Sequence, residues 1–418
     1  MQRPAPDIAT GTGHRQVTRR HVFYIPGYDP IHPRRYRELY RKEGAAQAAI
    51  SGYELTLSPR PGADRYGWQV EGRIEDAPCT ATVEVLIWSD IVRASMGHGI
   101  AATYLQLART AWEYITTGAL FRLMRLRKGP VIAALYPVGF LLLQLALALL
   151  IGWGVGRAVT ALLQLIPLPF AAIPGSLAGL ATVPPVLNWF RKRDGRFFAY
   201  YLMHDYAFSA RYRGANPPAL EARMAEFRTA IATALRGDAD EVLVVGHSSG
   251  AHLAVSILAD LIRAGDLPAE GPALSFLSLG QVVPMVSFLP KATRLRRDLQ
   301  YLSAREELFW LDVTAPGDGC AFALCDPVAV TGVAPDNQRG PLVISAAFTQ
   351  TLSPERWKAL KRRFFRLHFQ YLCAFDRPGD YDYFRITAGP RTLADRFAGR
   401  APSQSRITTP VNRYRSLS

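Results

Sequence analysis

The sequence predicts an α/β domain, a mostly parallel sheet flanked by helices and interrupted by an inserted hydrophobic helical hairpin. Three observations carry that prediction. Short apolar strands alternate with helices both before residue 90 and after residue 240. The run Glu-Val-Leu-Val-Val at 241–245 has the composition of a strand buried on both faces of a parallel sheet. Between the two halves lie two stretches without a charge, 129–156 and 158–190, separated by the single Arg157.

Residues 1–20 are basic with no apolar core behind them, so they read as a disordered tail and not as a secretory signal. A strand follows at 21–26, ended by Gly27, and then a helix over about 33–50. Alternating runs at 53–58 and 66–74 form a hairpin across the Pro/Gly turn at 59–62. Residues 80–88 are a further strand, leading into helix over 91–126. Beyond the insertion, helices are expected at 217–236, 251–264 and 292–302, with strands at 241–245, 276–279, 308–313 and 341–348. The last clear helix, 353–365, opens with Ser353 as cap and Pro354 as first residue. Residues 397–418 read as a second disordered basic tail. Segments 21–128 and 191–396 thus form one α/β domain around an insertion at 129–190.

Each charge-free stretch exceeds the roughly 20 residues that cross a bilayer core. The first reads as a straight span. The second holds Pro167, Pro169, Pro174, Pro184 and Pro185 and so reads as a kinked span or a re-entrant segment. A buried hairpin in a soluble protein is the alternative. Arg122, Arg125, Arg127 and Lys128 precede the first stretch, and Arg191, Lys192, Arg193 and Arg196 follow the second. Positive charge at both ends predicts a two-span hairpin with the domain and both termini on the cytoplasmic side. Only two crossings, or none, leave both halves of the sheet on one side. The aromatic pairs at 189–190, 197–198 and 200–201 suit an interfacial belt or a core. No small-residue pattern argues clearly for self-association.

The formal net charge of +15 favours anionic partners. Its clustering around the apolar stretches favours lipid headgroups, and no nucleic-acid module is present. Cys79, Cys320, Cys325 and Cys373 form no C-x-x-C pair and no metal spacing with histidine, so neither a disulfide framework nor a metal or other cofactor is expected.

The chemistry concentrates at Gly246-His247-Ser248-Ser249-Gly250, a G-x-S-x-G pattern. Five residues prove little alone. Here, however, an apolar strand enters and an apolar-faced helix leaves, as a strand–turn–helix elbow requires. A serine on that turn projects over the sheet edge as a nucleophile. The bland alternative is a Gly/Ser-rich turn.

Through this elbow the chain resembles the α/β-hydrolase superfamily, over roughly residues 20–30, 80–90 and 240–375. The resemblance implies the chain order nucleophile, acid, histidine, and an oxyanion hole of two backbone amides. Only His252 and His368 follow Ser248. His252 lies on the elbow's own helix, which leaves His368 as the base. Asp318, in a Pro/Gly loop after a strand, is the expected acid, with Asp312 inside that strand as its rival. The oxyanion donors implied are the N–H of Ser249 and that of Tyr28, with Gly27 allowing close approach. Trp88-Ser89-Asp90 is a weaker pocket candidate. Asp380-Tyr381-Asp382-Tyr383 fits no metal pattern.

The expected function is a membrane-anchored serine esterase or lipase-like hydrolase, acting on a lipidic or amphiphilic ester. A thioesterase or acyltransferase could use the same triad. A non-enzymatic membrane-tethered module would keep the fold and lose the chemistry.

Overall fold

The computed structural model describes residues 16–60, 62–96, 99–166 and 170–418. Its strands in chain order are β1 (Arg19–Ile25), β2 (Glu54–Pro59), β3 (Gly67–Ile74), β4 (Ala77–Val85), β5 (Glu241–His247), β6 (Ala273–Leu279), β7 (Leu308–Thr314) and β8 (Leu342–Ser345). They form one sheet in the order β2-β3-β4-β1-β5-β6-β7-β8. From β4 to β8 all pairs are parallel, while β2, β3 and β4 pair antiparallel at one edge. The fold is therefore α/β, with a mostly parallel sheet covered by helices on both faces.

Strand β5 explains the centre. All seven of its residues are buried, with Leu243 and Val245 packing into one apolar cluster and Val242 and Val244 into the other. A strand with two buried faces carries no polar alternation, which is why its sequence is continuous Val and Leu. At its amino end Glu241 accepts from Arg20 Nε of β1 at 2.6 Å, both side chains fully buried. Glu241 also accepts from Ser275 Oγ and Leu393 N, so the ion pair is hydrogen-bonded throughout.

The connection from β1 runs through α1 (Arg34–Ser51) to the far edge, and the chain returns through β3 and β4 to lie beside β1. After β4 it leaves the sheet for α2 (Ser89–Ser95), α3 (Ile100–Thr116), α4 (Ala119–Leu126), α5 (Lys128–Leu163), α6 (Ala172–Lys192), α7 (Asp194–Phe197), α8 (Ala199–Arg211) and α9 (Pro218–Leu235). It then returns as β5 on the other side of β1. Connections thus diverge on either side of β1, which makes the carboxyl ends of β1 and β5 the place where α/β sheets of this kind put ligands. The expected single helix over 91–126 is three, broken at Gly99 and again at Gly118, whose φ of 72° is left-handed.

Helix α5 is 36 residues long and runs straight through Arg157. Among the described residues it alone is long and apolar enough to cross a membrane. Helix α6 packs along it antiparallel: a Cβ on Gly152 would meet Gly179 O at 2.6 Å, and one on Gly156 would meet Gly175 O at 2.9 Å. The two Gly-x-x-x-Gly pairs are present in the sequence, and they join α5 to α6 within one chain. Pro184 and Pro185 lie inside α6; Pro167 and Pro169 fall outside the described residues.

Two expectations about the termini change. Residues 1–15 of the expected amino-terminal tail lie outside the described residues, and Arg19 and Arg20 open β1. The carboxyl-terminal segment is no free tail. Ile407 bridges to Cys325, and buried Asn412 donates to Ser287 O at 3.1 Å. Arg296 supplies the physical reason: it is fully buried, and its guanidinium donates to the carbonyls of Ser287, Leu289, Pro290 and Ser416. A buried cation needs such acceptors, and the tail provides one.

Candidate active site

Ser248 stands between β5 and α10 (Ser249–Arg263) with φ 56° and ψ −122°. A non-glycine residue in that region is strained and persists only where its surroundings hold it. They do so here. Ser248 N donates to Leu279 O at 2.9 Å. A Cβ on Gly246 would lie 2.7 Å from Ala251 Cα, and one on Gly250 only 2.1 Å from Ile25 O. Both flanking glycines are required by close backbone approach, so the elbow's glycines follow from packing within the turn and against β1.

The turn after β1 crosses the serine. A Cβ on Gly27 would sit 3.0 Å from Ser248 Cβ and 3.4 Å from its Oγ. Tyr28 follows, buried against Trp88, Phe208 and Tyr201, with its hydroxyl 2.6 Å from Ser95 Oγ. Trp88 Nε1 donates to Pro26 O at 3.0 Å and Tyr201 Oη to Tyr28 O. The turn carrying Gly27 and Tyr28 is thereby pinned from both flanks of the insertion. Ser249 opens α10 at the helix amino terminus, where its N–H has no intrahelical partner. Asp90 pairs with Arg223 and so has a structural role.

His368 and Asp318 meet. Nδ1 of His368 lies 2.7 Å from Asp318 Oδ2, with both residues buried. Asp318 Oδ2 also accepts from Tyr371 Oη at 3.0 Å, and Oδ1 accepts from Cys320 N at 2.9 Å. Burial would raise the Asp318 carboxyl, but the charge and hydrogen bond of His368, with the Cys320 amide and Tyr371, hold it below the usual carboxylate value. The anion fixes the hydrogen on Nδ1 and leaves Nε2 as the basic nitrogen. The rival Asp312 lies in β7, accepting from Ser278 Oγ at 2.5 Å, and desolvation pushes it up to about 8.

Histidine and serine are neighbours across one loop. Leu279 O holds Ser248 N, and a Cβ on the next residue, Gly280, would lie 3.1 Å from His368 Cε1. Among the described residues Ser248 Oγ makes no hydrogen bond, so the two are adjacent but not joined. Such contacts are often long until substrate arrives. The expected helix over 353–365 is split into Pro354–Leu360 and Phe364–His368, and the second piece ends on buried Leu367 and His368.

Three residues escape the sequence reading. His247, the x of G-x-S-x-G, is buried and donates from Nε2 to His368 O at 3.0 Å. Desolvation, reinforced by His368, lowers it to about 3, so it stays neutral and steadies the loop that carries His368. Tyr371, which belongs to no motif, holds both Asp318 and Ala315 N. Asp205, half-buried on α8, is pushed up to about 7 by desolvation, against the opposing pull of His368. Only the elbow position of His247 is a signal. His252, by contrast, is half-buried on α10 and lowered to about 4 by desolvation.

Asp318, Cys320 and His368 each bring one potential ligand atom within 4.8 Å of the others. Because Nδ1 and Oδ2 are already committed to each other, this grouping is a hydrogen-bonded couple and not an open cation site. Searches against protein-family models, curated proteins and solved structures found no match for this chain.

Proposed function

We propose that the chain is a membrane-anchored serine hydrolase of the α/β-hydrolase type that cleaves the acyl ester of a lipidic or amphiphilic substrate. The observation that carries this reading is the positive-φ Ser248 elbow with a buried Asp318–His368 pair gathered at the same carboxyl edge of the sheet. Ser248 Oγ attacks the acyl carbonyl while its proton passes to His368 Nε2. The N–H groups of Ser249 and Tyr28 receive the oxyanion. Collapse expels the alcohol, which takes the proton from His368. Water then repeats the sequence on the acyl-enzyme.

Proximity to apolar helices supports a lipidic substrate. A Cβ on Gly129, at the foot of α5, would lie 3.5 Å from Gly319 O, beside Asp318. Arg127 Nε donates to Ala323 O at 2.9 Å in the same loop. In this reading α5 enters the bilayer and α6 returns alongside. The 21 residues of α6 span about 31 Å, close to the roughly 30 Å of hydrocarbon. At their base Tyr136, Phe140, Phe190 and Phe197 form a chain of ring contacts, and Arg193 covers Trp189 at 4.1 Å, which suits an interfacial belt.

Fluorophosphonate labelling of the detergent-solubilised protein tests the chemistry. Labelling should disappear in Ser248→Ala and fall sharply in His368→Ala. A folded wild type that never labels, with or without added lipid, removes the hydrolase reading and leaves a non-enzymatic tethered domain. Product analysis with competing acceptors then separates hydrolysis from acyl transfer.

A further inference from the structure

Two basic-aromatic segments meet beside the candidate site. The first spans the last turn of α6 and the residues after it; it contains Arg191, Lys192, Arg193 and Arg196, all exposed, and ends at Phe198. The second runs from Lys361 through Arg362 and Arg363 to Arg366, all exposed, and encloses Phe364 and Phe365. None of these eight cations pairs with a carboxylate among the described residues. By contrast Arg356, just upstream, is paired with both Asp376 and Glu43. The one acid in the first segment, Asp194, is already used: its oxygens accept from Tyr200 N and Tyr201 N, each at 2.9 Å.

The aromatics join the segments. Phe198, Phe364 and Phe365 are 41%, 53% and 36% exposed, unusual for such rings in water. Phe198 and Phe365 lie 5.5 Å apart, centroid to centroid. The patch reaches the His368 and Asp318 loops directly and the Tyr28 turn through Tyr201, whose ring lies 6.4 Å from that of Phe198. His368 is the second residue after Arg366, a Cβ on Gly319 would meet the Phe364 ring at 3.1 Å, and Tyr201 of α8 holds Tyr28 O. Unpaired cations around exposed rings are the composition of a surface that lies in a lipid headgroup layer.

We infer that residues 191–198 and 361–366 form a docking surface for anionic phospholipid headgroups, and that its occupation steadies the loop bearing His368. Lipid charge then sets the activity of the site as well as the seating of the domain. This rests on the membrane-hydrolase reading above. Its physical basis is local: the helix Phe364–His368 is one short turn whose exposed half carries the charge and whose buried half carries the base.

The test uses the full chain reconstituted in nanodiscs of phosphatidylcholine, with or without 30% phosphatidylglycerol (roughly one lipid in three). The rate of fluorophosphonate labelling at Ser248 should be at least about tenfold higher with phosphatidylglycerol, and the gain should vanish in high salt. The variant Arg362→Gln/Arg363→Gln/Arg366→Gln should lose the gain and keep its rate in phosphatidylcholine. Arg122→Gln/Arg125→Gln/Arg415→Gln removes equal charge from a separate basic cavity of about 450 Å³ between α4 and the carboxyl-terminal segment, and should keep the gain. Equal loss in both variants, or equal and measurable wild-type rates in both membranes, overturns the inference. A second arm does not need the chemistry: photo-crosslinking phosphatidylglycerol should mark 191–198 and 361–366 in preference to phosphatidylcholine. No preference, or marks elsewhere, overturns the docking surface even if Ser248 labels. Preferential marking without any labelling of Ser248 retains it and removes the hydrolase reading.

Discussion

Strand β5 and helix α5 are built from the same residue types and end in opposite surroundings. Val242, Leu243, Val244 and Val245 are fully buried between two layers of helices. In α5, Leu143, Leu150 and Trp153 are 62%, 62% and 67% exposed. Only one stripe of α5 is covered, through Leu141, Gln144, Ala148, Gly152 and Gly156, and that stripe faces its neighbours α6 and α8. Apolar composition therefore says that water is avoided, and the fold says what replaces it. For β5 the replacement is protein; for α5 we propose lipid.

The largest effect should come from the chemistry of the body. Asp318→Asn leaves the β7 loop in place but removes the anion that orients His368, and should lower turnover or labelling by about 10⁴-fold in any membrane. A loss below tenfold would show that another group orients the base. Next comes the contrast itself. Val244→Asp places a carboxylate inside the sheet and should cost at least about 4 kcal/mol, seen as failure to fold in detergent. Leu143→Asp should leave the melting temperature of the solubilised body unchanged, while weakening retention by membranes, since a central aspartate costs about 3 kcal/mol to insert. Equal destabilisation by both would mean that α5 is buried by protein after all.

A smaller effect is expected at the helix pair. A Cβ on Gly179 would lie 2.5 Å from Gly152 O, so Gly179→Leu must part α5 from α6. The expected cost is about 1–3 kcal/mol, read as loss of crosslinking between cysteines placed on the facing stripes, with labelling of Ser248 retained. The smallest is a pH effect at Asp205, where insertion and body meet. Its carboxyl is raised in the folded protein to about 7, so the folded state binds that proton more tightly than the unfolded chain. Stability from this group is full below the ordinary carboxylate value of about 3.9 and declines as pH rises towards 7. Asp205→Asn should raise the melting temperature at pH 8 and change it little at pH 4. An equal change at both pH values would mean that Asp205 does not titrate in that window.

Much of the site is readable because chemistry and chain order constrain it. Ser248 follows from a strand–turn–helix context, and His368 from being the one later histidine off the elbow helix. Asp318 is preferred to Asp312 in the sequence because it lies in a loop past the strand and not inside it, and the structure adds the 2.7 Å contact with His368. His247 and Tyr371 are invisible as positioning groups because their partners, His368 O and Asp318, come from separate elements that only folding brings together. The carboxyl-terminal segment misleads for a similar reason: its composition is that of a solvated tail, yet buried Arg296 requires a carbonyl from it.

The sequence by itself determined the alternation of strand and helix, the double-buried β5, the elbow and the apolar insertion, because each is a local pattern of residue size, polarity and backbone freedom. Tertiary structure alone decided the order of the strands, the pairing of α5 with α6 through facing glycines, and the meeting of Asp318 with His368. Those depend on which distant surfaces fit at contact distance, and no local pattern carries that information.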